Sequence, residues 1–433
     1  MSQIDGYHMM VVSKYFSTFQ DFITLQIVCK KYQNNMEKFH FNPIPLTFKI
    51  QKYFPNIETL HLWSVSDETF HNIIIKKEER YINETPRHFF CIIVWYKVSY
   101  EDAQINTTDT ILFKNVVFTQ RDREIYGTTV LNTAKPQICS LGDLAFSYSN
   151  ITEFQIPLQI TSIGHSCFSY CKELKKFSFL ENKYIKTINT ELLFCGCTNL
   201  SSVDIAECVS ELKEECFSKC ISLSHIILPR SVTSLGNKCF FRCSKLTQIN
   251  ILESVVSIGS ACFDQCEALN EIDIPKSVIE LKEKTLYGCY KMSRVVLHEG
   301  LTLLGKYCFN ACMQLEGIVL PQSLVSINSF CFNCCSQLKL IQIPNNVKSI
   351  GEACFAYCEE LREVTLPETL NDISDACFAY CKQLTQINIP KRVTKIGECC
   401  FYNCKALKTL VVPWGVTVYG QFCFDEGIMI IKS

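Results

Sequence analysis

A phenylalanine returns along this chain at an interval of 23 residues, and an interval of that length leaves few folds open. From Phe194 the position runs through Phe217, Phe240, Phe263, Leu286, Phe309, Phe332, Phe355, Phe378, Phe401 and Phe424 without a slip, and steps of 22 and 26 residues connect it back to Phe168 and Phe146. A unit of 23 residues is too short to close a core of its own. Its apolar side has to be buried by the units before and after it, which makes the chain a stacked solenoid rather than a string of globular domains. About 13 coils are expected from Ile138 to the C-terminus. At roughly 4.8 Å per coil they would extend on the order of 60 Å.

One coil gives the pattern: Leu384-x-x-Ile387-x-Ile389-Pro390-x-x-Val393-x-x-Ile396-Gly397-x-x-Cys400-Phe401-x-x-Cys404. Ile387 and Ile389 are two apart, so both face inward on a strand while Gln386 and Asn388 face out. Stacking such strands builds a parallel sheet. Proline at 390 removes an N–H and fixes φ, which ends the strand, and Gly397 is expected to permit a tight turn before the Cys-Phe segment. Cys400 and Cys404 are four apart, a helical spacing that would set both on one face of a short helical turn beside Phe401.

The chain has 28 cysteines. Ten precede the repeating Phe and eleven follow it by three, so 21 have a place in the repeat. A structural zinc site needs four ligands converging from clustered pairs. Here each coil contributes one Cys-Phe-x-x-Cys pair without a histidine at a fixed place, so buried thiols are expected and no metal or other cofactor. Disulfides between equivalent coils are geometrically open, but in a reducing compartment the thiols would persist.

The formal net charge of −1 gives no general attraction for a phosphate backbone, so nucleic acid is not expected as a partner. Hydrophobic residues make up 48% of the chain, yet no run approaches the roughly 18 apolar residues of a membrane span. No signal-peptide pattern opens the sequence, and the cytoplasm is the expected compartment. Catalysis is not expected either: the eight histidines fall at unrelated repeat positions, and the glycines are spread one per coil instead of clustering as a phosphate loop requires.

With its strand, Ile-Pro, Ile-Gly and Phe-x-x-Cys features in register over about 290 residues, the repeat resembles the BspA-type leucine-rich repeats. The resemblance implies a right-handed leucine-rich-repeat coil with a parallel β-sheet face. It also implies binding of other proteins, often at a cell surface. That family commonly has alanine before the Phe where this chain has Cys216, Cys239 and Cys354, and both residue types are small and apolar.

Ahead of the repeats, residues 1–45 show a helical period through Phe16, Phe19, Phe22, Ile23, Leu25, Val28 and Tyr32, ended by Pro43 and Pro45. A helical cap over the open end of the solenoid is the plain reading. The segment Asp21-Phe22-Ile23-Thr24-Leu25 with Val28-Cys29-Lys30-Lys31-Tyr32 is also similar to the second half of an F-box, lacking that family's opening Leu-Pro. That resemblance implies a substrate adaptor of a ubiquitin ligase. Residues 46–137 read as divergent first coils with an insertion, with a strand at Ile57–Leu62 and another within Phe89–Val98 packed on the sheet or its edge.

The expected function is therefore a non-catalytic scaffold holding a protein partner on the outward strand face; an F-box-like adaptor and a surface adhesin are the alternatives. The outward positions are mostly polar, but Val296, Val319 and Leu340 fall on successive coils with Glu271, Asp273 and Arg294 beside them. An apolar patch with a charged margin is the usual anatomy of a protein contact, and these six residues form the candidate site.

Overall fold

The computed structural model describes residues 4–76, 85–179, 182, 185, 191–425 and 427–432. The chain forms a parallel β-solenoid with helices at its N-terminal end, and it divides into two compact units: residues 1–145 with 159–162, and residues 146–158 with 163–433.

In the first unit, helix α1 (Gly6–Ser13) is capped by Asp5, whose carboxylate accepts from the N–H groups of Tyr7 and His8. Helix α2 (Phe19–Val28) opens with a reciprocal Thr18–Asp21 capping box, satisfying N–H groups that the first turn leaves without partners. Phe22 of α2 lies edge-on to Phe16, Phe39 and Phe54 at 5.0, 5.8 and 5.4 Å, so the helical segment packs through Phe22 onto the stretch that leads into the first strand. The strands Thr59–Leu62, Cys91–Val94 and Ile111–Phe113 then pair in parallel in that order. The segment expected to lie on the sheet or along its edge, Cys91–Val94, is thus its central strand. Two coils of this unit carry short helices, Tyr100–Asn106 and Gln120–Tyr126. They are joined by Asp122, which is fully buried and accepts hydrogen bonds from the N–H groups of Tyr100, Glu101 and Thr119 and from the Thr119 hydroxyl.

The second unit holds the 23-residue coils. One column of strands comes from the Leu-x-x-Ile-x-Ile segment, as in the parallel pair Glu271–Asp273 and Arg294–Val296. A second column, not expected from the sequence, comes from the Ile-Gly segment, where Leu281, Leu304, Ile327 and Ile350 pair in register. Between the columns the proline begins a turn, its carbonyl accepting from the residue three later, as in Val278 N to Pro275 O at 3.0 Å.

The Cys-Phe-x-x-Cys segment is a run of turns, not a helical one. Its N–H groups alternate between two directions. Those of Lys238, Phe240 and Arg242 donate to Ser260, Cys262 and Asp264 of the next coil, while those of Cys239, Phe241 and Cys243 donate three residues back within their own coil. The alternation requires left-handed backbone at Lys238 (φ 51°) and Arg242 (φ 58°), and equivalent residues such as Ala353 and Tyr357 share it. Left-handed geometry costs an L-residue about 1–2 kcal/mol, which the inter-coil bonds must offset. The segment is therefore a third ladder, and its partners come from the neighbouring coil where a helix would find them within itself.

The glycines before this segment serve a different purpose from the tight turn expected of them. None of Gly236, Gly259 and Gly351 has positive φ, but a Cβ there would collide with the backbone of the preceding coil at Lys213, Asn237 and Ser329 respectively. Glycine is needed because two backbones nearly touch.

Inside, the phenylalanine rings stack: Phe217, Phe240 and Phe263 are 5.5 Å apart and tilted by only 2°. All 21 repeat cysteines are buried. Those three residues after the Phe donate S–H to the carbonyl of the Phe position one coil earlier, as Cys243 does to Phe217, Cys266 to Phe240 and Cys358 to Phe332, each at 3.2 Å. Each of these carbonyls also accepts the N–H three residues later in its own coil, as Phe217 does from Cys220, so the thiol adds a second, inter-coil hydrogen bond. Burial pushes the thiols of Cys377 and Cys404 up to about 12, so these two are not thiolates at neutral pH.

Candidate protein-binding face

The first strand column turns two residues per coil away from the core. In four successive coils these are His225 and Ile227, Gln248 and Asn250, Glu271 and Asp273, and Arg294 and Val296. Ile226, Ile249, Ile272 and Val295 alternate with them and are buried. Because the ladder occupies much of the strand backbone's hydrogen-bonding capacity, recognition on this face falls to the side chains.

These outward residues line a depression of about 500 Å³. A second, of about 480 Å³, shares His225 and Ile227 and continues to Asp204, Glu207 and Arg230 of the neighbouring turns. Ile227 is 79% exposed where the two meet. At the far end charges are paired: Arg294 lies 3.7 Å from Glu271, and the His298 ring Nε2 is 2.8 Å from Asp273. The Arg294–Glu271 pair is exposed and adds little to stability, but it offsets one of the two carboxylates at that margin.

Four residues of the candidate site, Glu271, Asp273, Arg294 and Val296, come together in this depression. Val319 and Leu340 follow on the next two coils, outside its lining, and are 83% and 63% exposed. Between the strands Arg294–Val296 and Leu340–Gln342 the coil of Gly317–Val319 forms no strand. Gly317 has open space where a side chain would be, and a glycine in an extended segment contributes no packing while losing more backbone entropy than other residues. The apolar patch thus straddles a break in the ladder.

The sequence-based selection passed over Ile227 and the two amides, Gln248 and Asn250. Ile227 did carry a legible signal, an aliphatic in an outward column dominated by polar residues. The amides carried none, since a polar outward residue is the ordinary case. Among the described residues no group of three or more His, Cys, Asp or Glu could hold a metal ion, and no helix is long and apolar enough to cross a membrane.

A family model for the BspA type leucine rich repeat region matches the chain over residues 139–267, 233–362 and 325–432. No curated protein matches. Among solved structures, a leucine-rich repeat protein from Bacteroides ovatus is 19% identical with a TM-score of 0.50, the alignment covering 66% of this chain and 92% of that one. A leucine rich cell surface protein from Faecalibacterium prausnitzii is 21% identical with a TM-score of 0.35, covering 69% and 83%. At these identities the likeness concerns the fold alone.

Proposed function

The chain belongs to the BspA-type leucine-rich-repeat family, and from that premise we propose that it is a non-catalytic scaffold that holds a protein partner on the outward face of its first strand column. The observation that supports this reading is the pair of adjoining depressions that together span five coils from Asp204 to Val296, rimmed by charge and with the exposed Ile227 where they meet. Specific interfaces combine an apolar centre with a polar margin. The exposed Val319 and Leu340 extend the same face by two coils.

The compartment belongs to this reading as well. Buried thiols such as Cys220, Cys243 and Cys266 are held as S–H donors, a state that a reducing cytoplasm preserves. Protease added to intact cells would spare a cytoplasmic protein and digest one on the surface.

The test is proximity labelling or affinity purification with the full chain, followed by the variants Ile227→Asp and Val319→Asp. Both side chains point outward, so the fold should survive. The partner recovered by the wild type should be lost from Ile227→Asp and weakened by about 1–3 kcal/mol in Val319→Asp if these are interface anchors. Equal recovery by both variants, with unchanged melting, would remove the strand face from consideration. A second reading rests on α2, whose Ile27 and Val28 are both exposed. If this segment docks an adaptor complex, a chain lacking residues 1–45 should lose a distinct set of partners while keeping those of the strand face.

A further inference from the structure

The chemistry of the depression says what kind of partner it fits; this step rests on the strand-face reading above. Along the solenoid the outward groups change in a fixed order. At one end Asp204 and Glu207 stand with Arg230 as the lining's cation, and among the described residues neither carboxylate forms an ion pair; the Asp204 carboxylate accepts from the Ser178 hydroxyl, at 3.1 Å. That end is left with an excess of one negative charge. Next comes the exposed Ile227. The centre is neutral and made of two amides, Gln248 and Asn250, for which no side-chain hydrogen bond is recorded among the described residues. Each amide carries both a donor and an acceptor, the pair of functions that an unpaired peptide group needs. Beyond them Arg294 pairs with Glu271, the His298 ring lies against the Asp273 carboxylate, and the lining ends at Val296.

Ile227 and Val296 occupy equivalent positions three coils apart. At about 4.8 Å per coil the separation is about 14 Å, which is about four residues of extended chain at roughly 3.3 Å each. In an extended chain, residues four apart point to the same side. We propose that the depression binds an extended peptide segment lying along the solenoid axis across the strands. Its two aliphatic side chains, at positions i and i+4, rest on Ile227 and Val296, its central backbone is met by Gln248 and Asn250, and a basic residue beside the first aliphatic faces Asp204. A helix matches the spacing poorly, because at a rise of 1.5 Å per residue its same-face positions i+4, i+7 and i+11 lie about 6, 10.5 and 16.5 Å from i.

The experiment uses the full chain and fluorescein-labelled synthetic peptides. One, Lys-Val-Thr-Ser-Thr-Val-Ser, places valines at i and i+4 after a lysine. A second moves the later valine to i+3, and a third replaces the lysine with glutamate. Fluorescence anisotropy should show saturable binding of the first peptide, at least tenfold weaker binding of the other two, and a tenfold loss in both Ile227→Asp and the double variant Gln248→Ala/Asn250→Ala. Equal binding of the i+3 and i+4 peptides, or no loss in the double amide variant, would overturn the proposal. So would absence of peptide binding while a partner protein is still captured through Ile227, and that outcome would leave the scaffold reading standing. If capture of the partner were also indifferent to Ile227→Asp, both readings would fall together.

Discussion

Asp264 is the residue whose replacement should stabilise the protein. It sits one position after Phe263 in the turn ladder, 6% exposed, in a column where its neighbours one coil away are Phe241 and Tyr287, and its Oδ1 finds no hydrogen-bond partner among the described residues. Burial raises its carboxyl to about 6 from an ordinary value of 3.8, against the opposing pull of Gln265, Lys284, Arg242 and Lys238. A folded-state value above the unfolded one means that the folded protein holds this proton more tightly. The resulting stability is fully present below pH 4 and is lost as the pH rises through 6. A shift of about two units corresponds to about 3 kcal/mol in total, of which roughly 1.4 kcal/mol disappears between pH 5 and 7. Asp264→Asn keeps the shape and removes the charge, and asparagines occupy the same column at Asn310 and Asn333, hydrogen-bonded to each other at 3.0 Å. The variant should therefore be more stable than wild type at pH 7.5 by about 1–3 kcal/mol, with the advantage shrinking at pH 5. Urea unfolding followed by circular dichroism at both pH values measures this. An advantage that is absent at pH 7.5, or that is the same at both pH values, would refute the reasoning.

Three further outcomes rest on the repeat itself. Gly351→Ala should lower the melting temperature sharply, because its Cβ would meet the Ser329 backbone, whereas Gly317→Thr should raise stability by about 0.5–1 kcal/mol by supplying a strand-forming residue in open space; melting curves of the two variants compare them directly. Phe240→Ala interrupts a stack of rings 5.5 Å apart on both sides and should cost about 3–5 kcal/mol in chemical denaturation. Under native conditions a maleimide should label exposed Cys208 and few of the 21 buried repeat thiols, with the rest reacting only after denaturation; mass spectrometry that found Cys243 or Cys266 modified in the folded protein would contradict their place in the core.

The part of this structure that could be read from the sequence is the part decided within a single coil. The inward alternation of Ile387 and Ile389, the proline that ends the strand and the buried Phe401 all follow from local chain geometry, repeated until the register could not be mistaken. The outward face could be read for the same reason, since a period of two assigns each strand residue to one side. What the tertiary structure decided is whatever depends on the distance between coils. A spacing of four between Cys400 and Cys404 fits a helix, yet the segment turns through left-handed residues such as Asn403 because its N–H groups bond the next coil. Gly397 is glycine because a neighbouring backbone passes 2.5 Å from its absent Cβ, a contact no single coil contains. The thiol hydrogen bonds of the cysteines three after the Phe also cross from coil to coil. The same holds for the depression: its polar amides are ordinary surface residues one coil at a time, and only stacking sets them in one concave lining between Ile227 and Val296.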